Sequence, residues 1–345
     1  MKCLITGATG FLGKRVLDLL IDDPEVKEIH IVSRRKLSHP SEKVTTHCGN
    51  LIQPWESFGL SEKLPYVDKI IHIAGLYDFN QSYTESYSHN VLPALNLVDF
   101  ARSMKRKRPP EILYASTYAV ASGLVLEEEP LTSLPSSSLS YPYTKALAEQ
   151  ILVRSGLPLQ VFRLGVLVGD SETGDIEKID GPYYLMRFLS QLSQTRFSNV
   201  VRRLPIPASP ETVLPLVPVD AAARVFHKAL HFKPDTLHPE PRFYGVYRPE
   251  SIKVRTLVEA AFEECFPSCK PVFLRGLKIH STLFKLQHKA TQIPADAFTF
   301  ATRSPVLKVD RFRDVFGENA IPHFNEYRDP FFNGFKHLLR GGVAC

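Results

Sequence analysis

From its first residues the chain alternates short apolar runs with longer stretches in which apolar side chains recur every three or four positions. The short runs are Lys2–Thr6, Glu28–Ser33, Val44–Cys48, Lys69–Ala74, Glu111–Ser116 and Leu159–Leu164. They are β-branched or almost continuously apolar, the pattern of strands buried on both faces. Helical periodicity falls between them, near Leu12–Ile21, Tyr87–Met104 and Tyr143–Ser155. This alternation predicts βαβ units around a parallel sheet, an α/β fold of the doubly wound Rossmann type.

Beyond about residue 170 the alternation loosens. Pro205, Pro207, Pro210, Pro215 and Pro218 interrupt the chain and aromatic residues become frequent. Regular signals return at Val219–Leu230, at Phe243–Tyr247 and in a helix from near Ser251, where Val254, Leu257, Val258, Ala261 and Phe262 share a face. Asp310–Phe316 and a Phe-rich stretch, Tyr327–Leu339, close the chain. The pattern predicts a Rossmann core over 1–168 and a smaller substrate-binding lobe made mainly of 169–345, with 219–250 returning to the core. Loops on a rigid scaffold commonly carry specificity, and the aromatic, Pro-rich stretch 182–218 suits either an apolar channel or a core. Two basic amphipathic pieces, Leu277–Lys289 and Phe331–Leu339, suit a lipid surface or, more ordinarily, their own domain.

Composition narrows the function classes. A chain of 345 residues, 44% hydrophobic and 23% charged, can bury a large core. Its 42 basic and 36 acidic residues leave +6, which suits an anionic ligand and is too mild to argue for nucleic acid. The run Lys105-Arg106-Lys107-Arg108 either meets a nucleotide tail or complements a helix C-terminus. Five cysteines, at 3, 48, 265, 269 and 345, form no disulfide framework, and Cys265 with Cys269 lacks a second pair at zinc-like spacing, so no metal site is read. No signal-peptide pattern precedes the first strand and no apolar run approaches a membrane span, so a cytoplasmic location is expected, with self-association into a homodimer left open.

Candidate chemistry starts at Gly7-Ala8-Thr9-Gly10-Phe11-Leu12-Gly13, between a strand and a helix. Glycines there let a turn close and let backbone approach a pyrophosphate on the helix N-terminus. Where an acid would hold the ribose 2′-hydroxyl of NAD, the second strand ends in Ser33, Arg34 and Arg35, and no acid follows before Glu42. A hydroxyl and two guanidinium groups match a 2′-phosphate, so NADP(H) is expected; two surface arginines in a loop are the plainer alternative.

Of the 13 tyrosines only Tyr141 has a lysine four residues on, Lys145. On a helix that spacing puts both on one face, where an ammonium charge favours the phenolate and suits the tyrosine to general acid work. The pair follows Ser116-Thr117 by 24 residues counted from the threonine.

With these motifs the sequence resembles the extended short-chain dehydrogenase/reductases, in the NAD-dependent epimerase/dehydratase superfamily, from residue 1 to about 230. Gly49-Asn50-Leu51 matches a β3-end Gly-Asp-Leu, Ala74-Gly75 a β4-end Ala-Ala, Asn90 a helix asparagine, and Thr117 a β5-end Ser or Thr. Asn50 replaces the usual aspartate at the adenine and Gly75 the second alanine. Arg163-Leu164-Gly165 stands where Arg-Pro-Gly is common. Within the family, Gly7–Lys36 with its Pro24-Glu25-Val26-Lys27, and Tyr141–Glu149, resemble the fatty-acyl and thioester reductase branch. Gly169–Gly174, continuing through Lys178–Tyr184, is similar to a bacterial subgroup with members in polyketide pathways.

The resemblance implies that Asn50, Leu51, Ala74, Gly75, Leu164 and Val166 join the glycine turn, Ser33, Arg34 and Arg35 in holding NADP(H). It implies that Tyr141 gives a proton, Thr117 bonds the oxyanion, Lys145 tunes Tyr141 and holds the nicotinamide ribose, and Asn90 supports Lys145 through water. The expected reaction is NADPH-dependent reduction of a carbonyl or acyl thioester on a lipid- or polyketide-like chain, free or carrier-linked. Alternatives are a nucleotide-sugar epimerase or dehydratase, a 3β-hydroxysteroid-type alcohol dehydrogenase, and a binding protein without turnover. Gly165-Val166-Leu167-Val168-Gly169 lacks the Asn-Val-Tyr-Gly-like pattern of the nucleotide-sugar enzymes.

Overall fold

The computed structural model describes residues 1–35, 38–64, 66–77, 81–104, 108–121, 125–135, 139–177, 179–196, 198–232, 240–274 and 305–340. Lys36, Lys105, Arg106, Lys107, Lys178 and the expected amphipathic piece Leu277–Lys289 lie outside them. The chain forms two compact units. The first comprises 1–164, 219–246 and 307–320, the second 165–218, 247–306 and 321–345.

The first unit is built on seven parallel strands: β1 (Lys2–Thr6), β2 (Glu28–Ser33), β3 (Val44–Cys48), β4 (Lys69–His72), β5 (Glu111–Thr117), β6 (Leu159–Leu164) and β7 (Arg242–Val246). Their spatial order is β7-β6-β5-β4-β1-β2-β3, the doubly wound arrangement, with its switch point between β1 and β4. Cys3, Leu4 and Ile5 in β1 and Ile70 and Ile71 in β4 are buried, as continuous apolar runs in such a sheet must be.

Helix α1 (Phe11–Asp22) buries Leu12, Val16, Leu17 and Leu20, one stripe at helical spacing, and packs against a later helix, Val219–Leu230. The expected helix Tyr87–Met104 is two helices, α2 (Tyr83–Asn90) and α3 (Leu92–Ser103). Pro93 opens α3, and having no N–H it cannot continue the hydrogen-bond ladder of α2. A capping box of Ser82 and Glu85 starts α2, four residues before the periodicity alone suggested. Helix α4 (Ser140–Arg154) follows β5.

Residues 307–320, assigned by the sequence pattern to the second lobe, pack in the first unit. The reason is Glu128, a buried carboxylate that accepts from the backbone N–H groups of Gly245 on β7 (2.8 Å) and of Arg311 (2.7 Å).

The second unit has a core of its own. Helix α5 (Tyr183–Ser193), hidden from the sequence reading by the surrounding prolines, buries Tyr183, Met186 and Leu189. The helix Val219–Leu230 of the first unit becomes α6, and α7 (Val254–Cys265), α8 (Asp310–Phe316) and α9 (Phe324–Arg340) complete the set, α8 lying in the first unit. Tyr183 stacks on Phe331 (4.9 Å between ring centroids), so it and the apolar face of Phe331–Leu339 pack the unit's own core. Short parallel pairs join 166–168 to 216–218 and 203–206 to 270–273. No helix among the described residues is long and apolar enough to cross a membrane.

Gly174 and Gly334 let two backbones touch. A Cβ on Gly334 would stand 1.7 Å from the Gly174 carbonyl oxygen, and Gly174, at φ +76°, faces the Pro330 carbonyl. Helix propensity alone favours Gly334→Ala by roughly 1 kcal/mol. The clash is with backbone that cannot rotate away, so we expect overpacking to win, with a net loss of about 1–3 kcal/mol read as a lower urea midpoint. An unchanged or raised midpoint would show that the crossing has room.

Candidate active site

The glycine turn sits at the switch point of the sheet. Gly7, at φ +75°, lies so close to the β4 end that a Cβ would meet the Ala74 nitrogen at 2.6 Å. A Cβ on Gly13 would fall 1.9 Å from the Gly7 carbonyl oxygen, so α1 starts directly against the turn. The Gly10 N–H donates to the Gly7 carbonyl (2.9 Å), Thr9 and Gly10 are exposed, Phe11 is half-buried and Leu12 is core. The first turn of α1 has no side-chain cap and no acid. Free N–H groups at a positive helix end, approached by backbone alone, fit a pyrophosphate.

At the end of β2, Ser33 accepts from the Arg35 N–H (3.3 Å) and its carbonyl accepts from Gly49 N–H (2.9 Å). Arg34 and Arg35 are exposed, and neither makes an ion pair among the described residues. Asn50 is half-buried, and its Oδ1 accepts from the Ile52 N–H (3.3 Å), which leaves its amide Nδ2 able to donate elsewhere. The Leu51 carbonyl accepts from Asn96 (2.9 Å).

Past β4, Ala74 is half-buried and Gly75 exposed. Asn90, wholly buried on α2, accepts at Oδ1 from Leu76 N–H (2.8 Å) and donates from Nδ2 to the Leu76 carbonyl (3.2 Å) and to Thr144 Oγ1 (3.1 Å). These bonds clamp the loop after β4 to α4. A Cβ on Gly75 would meet Asn90 Oδ1 at 3.1 Å and Lys145 Nζ at 3.7 Å, so the three groups are neighbours.

Thr117 ends β5, and its Oγ1 accepts from Ala119 N–H (3.2 Å), leaving its hydroxyl proton to donate elsewhere. Ser116, one residue earlier, faces the opposite way, as strand neighbours do, and donates to the buried Glu149 carboxylate. Tyr141 lies half-buried in the first turn of α4, its ring edge-on to Tyr77 (4.9 Å between centroids). Lys145, one turn on, is buried, donates from Nζ to the Ala115 carbonyl (2.5 Å) and stands 4.2 Å from the Tyr114 ring centroid. Leu164, buried, ends β6, while half-buried Val166 opens the first short strand of the second unit.

Burial brings Lys145 down from the ordinary 10.5 to about 7, with the Glu149 carboxylate opposing the fall. The lysine charge is thus only partly present near neutrality. Burial, with the Lys145 charge second, also takes His72 down to about 3, so this ring is neutral; its Nδ1 pairs with Thr6 Oγ1 (2.8 Å).

His72, Tyr114 and Glu149 were missed as parts of this site. A signal for Glu149 was present, since Tyr141, Lys145 and Glu149 follow one another at four-residue steps along one face of α4.

An NAD-binding family described as male sterility protein matches residues 5–53 and 35–226. The chain belongs to this family. It is thereby an oxidoreductase of the extended short-chain dehydrogenase/reductase type, in the thioester reductase-like branch, and takes a nicotinamide dinucleotide. This male sterility-type chain is 30% identical over 263 residues to the hybrid PKS-NRPS synthetase pydA of Acremonium sp, covering 70% of the chain and 6% of that protein. It is 28% identical over 212 residues to the nonribosomal peptide synthetase asaC of Aspergillus flavus, covering 50% of the chain and 20% of that protein. It therefore spans only a small part of either relative. Among solved structures, the terminal R domain from the myxalamid PKS-NRPS biosynthetic pathway superposes with a TM-score of 0.74 at 19% identity, over 98% of this chain and 90% of that one. The UDP-glucose 4-epimerase of Thermus thermophilus, in complex with NAD, superposes at 0.63 and 18% identity, over 99% and 100%. At those identities the two structures speak to the fold.

The buried lysine gives a stability test. Between about pH 7 and 10.5 the unfolded chain holds a proton that folded Lys145 has lost, so stability rises with pH across that window and the full burial penalty applies below it. Lys145→Met removes the penalty. In the dinucleotide-free protein its melting temperature should exceed that of the parent at about pH 6, with the difference shrinking towards about pH 10. A gain that grows with pH contradicts a buried lysine shifted downwards.

Proposed function

We propose that this chain is an NADPH-dependent reductase of an acyl thioester, or of the aldehyde or ketone related to it, on a lipid- or polyketide-like chain delivered by a carrier. The observation that carries the reading is that Thr117 ends β5 while Tyr141 and Lys145 stand one turn apart on α4, with Lys145 Nζ on the carbonyl of Ala115, two residues before Thr117, at the carboxyl edge on which the glycine turn also lies. The names of its synthetase relatives support a carrier-linked substrate.

Gly7, Gly10 and Gly13 with the N-terminus of α1 would hold the pyrophosphate, and Ser33, Arg34 and Arg35 the 2′-phosphate. Asn50 and Leu51 would flank the adenine, and Ala74, Gly75 and Leu164 the nicotinamide side. When bound, the dinucleotide supplies the hydride. Tyr141 gives its phenolic proton to the carbonyl oxygen as charge builds there, and Thr117 donates a hydrogen bond to the same oxygen. For a thioester, loss of the thiol from the reduced carbon then leaves an aldehyde. Lys145 would hold the ribose hydroxyls and, in its charged form, favour proton loss from Tyr141. Asn90 is a positioning residue that fixes the loop 74–77 against α4. The second unit carries substrate recognition.

Following NADPH consumption with acyl thioesters, long-chain aldehydes and ketones should reveal turnover, while UDP-sugars should give no product. Tyr141→Phe should lower kcat by about 10²–10⁴-fold on the best substrate. Retained activity would remove Tyr141 as the acid. Arg34→Ala combined with Arg35→Ala should weaken NADPH binding by about 10–100-fold while leaving NADH nearly unchanged. Equal losses for the two dinucleotides would exclude the 2′-phosphate assignment.

A further inference from the structure

Asp23 caps the C-terminal end of α1, one helix length from the glycine turn, roughly 18 Å at 1.5 Å per residue. Its side chain is buried at 5% exposure, yet two imidazoles reach it. His227 Nε2 lies 2.8 Å and His231 Nε2 2.7 Å from the same oxygen, Oδ2. The other oxygen, Oδ1, is held by the Glu25 N–H at 2.8 Å. The histidines sit one turn apart near the end of α6, their rings 5.4 Å apart and crossed at 82°. All three residues belong to the first unit.

We propose that Asp23, His227 and His231 form a binding site for a divalent transition-metal ion, zinc above all, that ties the end of α1 to the end of α6. Two imidazole nitrogens and one carboxylate oxygen are a donor set that zinc accepts, and a His-x-x-x-His pair on a helix presents both rings on one face. Three protein ligands leave a fourth position for water, and the histidine side chains, 30% and 32% exposed, leave that position and an entry path open.

The geometry is close to what the ion requires. The three ligand atoms lie within 4.8 Å of one another. Tetrahedral bonds of about 2.0–2.1 Å put ligand atoms about 3.3 Å apart, so each imidazole has to withdraw from Oδ2 by only about half an ångström. Half-exposed rings can do that by side-chain rotation alone. Ligation through Nε2 moves the ring proton to Nδ1, and in His231 that nitrogen faces the Glu25 carboxylate at 3.6 Å, an outer partner of the kind that orients metal-bound imidazoles. Asp23 is fixed in turn by the Glu25 N–H, and Lys43 satisfies the carbonyls of Ile21 and Asp23 at 2.6 and 2.9 Å. The ion therefore meets a carboxylate already aimed at it.

Asp23 stands some 200 positions before the two histidines, so the His-x-x-x-His spacing by itself shows no third ligand in the sequence. The site's distance from the glycine turn makes it a staple of the fold, outside the reductive chemistry, and independent of the function proposed above.

The test uses the 345-residue chain without a polyhistidine tag, stripped with chelator and titrated with Zn²⁺ and, separately, Co²⁺. Uptake of one ion per chain is expected, with a higher melting temperature and a cobalt ligand-field spectrum of low coordination number, while the affinity for NADPH stays unchanged. His231→Gln and His227→Gln, which keep a hydrogen-bond donor for Asp23, should each weaken zinc at least about tenfold, and Asp23→Asn likewise. Folding of each variant is checked by circular dichroism and NADPH binding, and the two histidine variants decide the matter if Asp23→Asn does not fold. Absence of saturable uptake overturns the proposal, as does binding that the histidine substitutions leave intact. A folded Asp23→Asn protein that binds zinc as tightly as the parent also overturns it, because the histidine pair alone would then account for the ion.

Discussion

Glu149 puts a carboxylate inside the first unit beyond the reach of water, and two neighbouring strands supply its partners. Ser116 on β5 donates to one oxygen, and Arg163 on β6 reaches both, through Nε at 3.2 Å and Nη2 at 2.7 Å. Arg163 spends its remaining amine on the Glu127 carbonyl and lays its guanidinium over the Phe243 ring. Buried ions are tolerated only when every partner is present, and removing one side of such a pair costs about 3–5 kcal/mol. The network therefore fixes the rotation of α4 against the sheet. Tyr141 and Lys145 stand on that helix, two turns and one turn before Glu149, so the orientation of these two side chains depends on the ion pair of Glu149 with Arg163.

The same network explains why Lys145 tolerates its surroundings. Its ammonium group has a strand carbonyl, an aromatic face and the Glu149 carboxylate nearby, yet burial still outweighs them and leaves it with a pKa of about 7. A lysine so poised loses its charge at the upper end of the physiological range. The field it exerts on its surroundings then varies with pH, which an exposed lysine would not show.

Much of this architecture was legible beforehand, for a physical reason. Strands buried on both faces carry their signal in every residue, so Lys2–Thr6, Glu28–Ser33 and Leu159–Leu164 were readable to the residue. The glycine turn was equally legible, because a backbone approach as tight as that of Gly7 to Ala74 leaves glycine as the one side chain that fits. What escaped were features set by partners distant in the chain. Asn90 reads like a family asparagine, but its work as a clamp is visible only once Leu76 and Thr144 are beside it. Helix α5 vanished among prolines because its apolar stripe meets α7 and α9, which lie far along the chain. Residues 307–320 were assigned to the wrong lobe because the carboxylate that claims them, Glu128, stands some 180 positions earlier.

That last tether bears on how the protein is made. The chain passes between its two units five times, and the first unit takes its seventh strand from residues 242–246 and its last helix from 310–316. A ribosome must therefore deliver the chain as far as that last helix before the dinucleotide-binding unit can close, and until residue 246 has emerged the intermediate carries an unfinished sheet edge. No single cut releases either unit as a cassette. Variation in what this scaffold recognises would have to arise by substitution within the woven segments, because exchanging the second unit would mean splicing three of them at once.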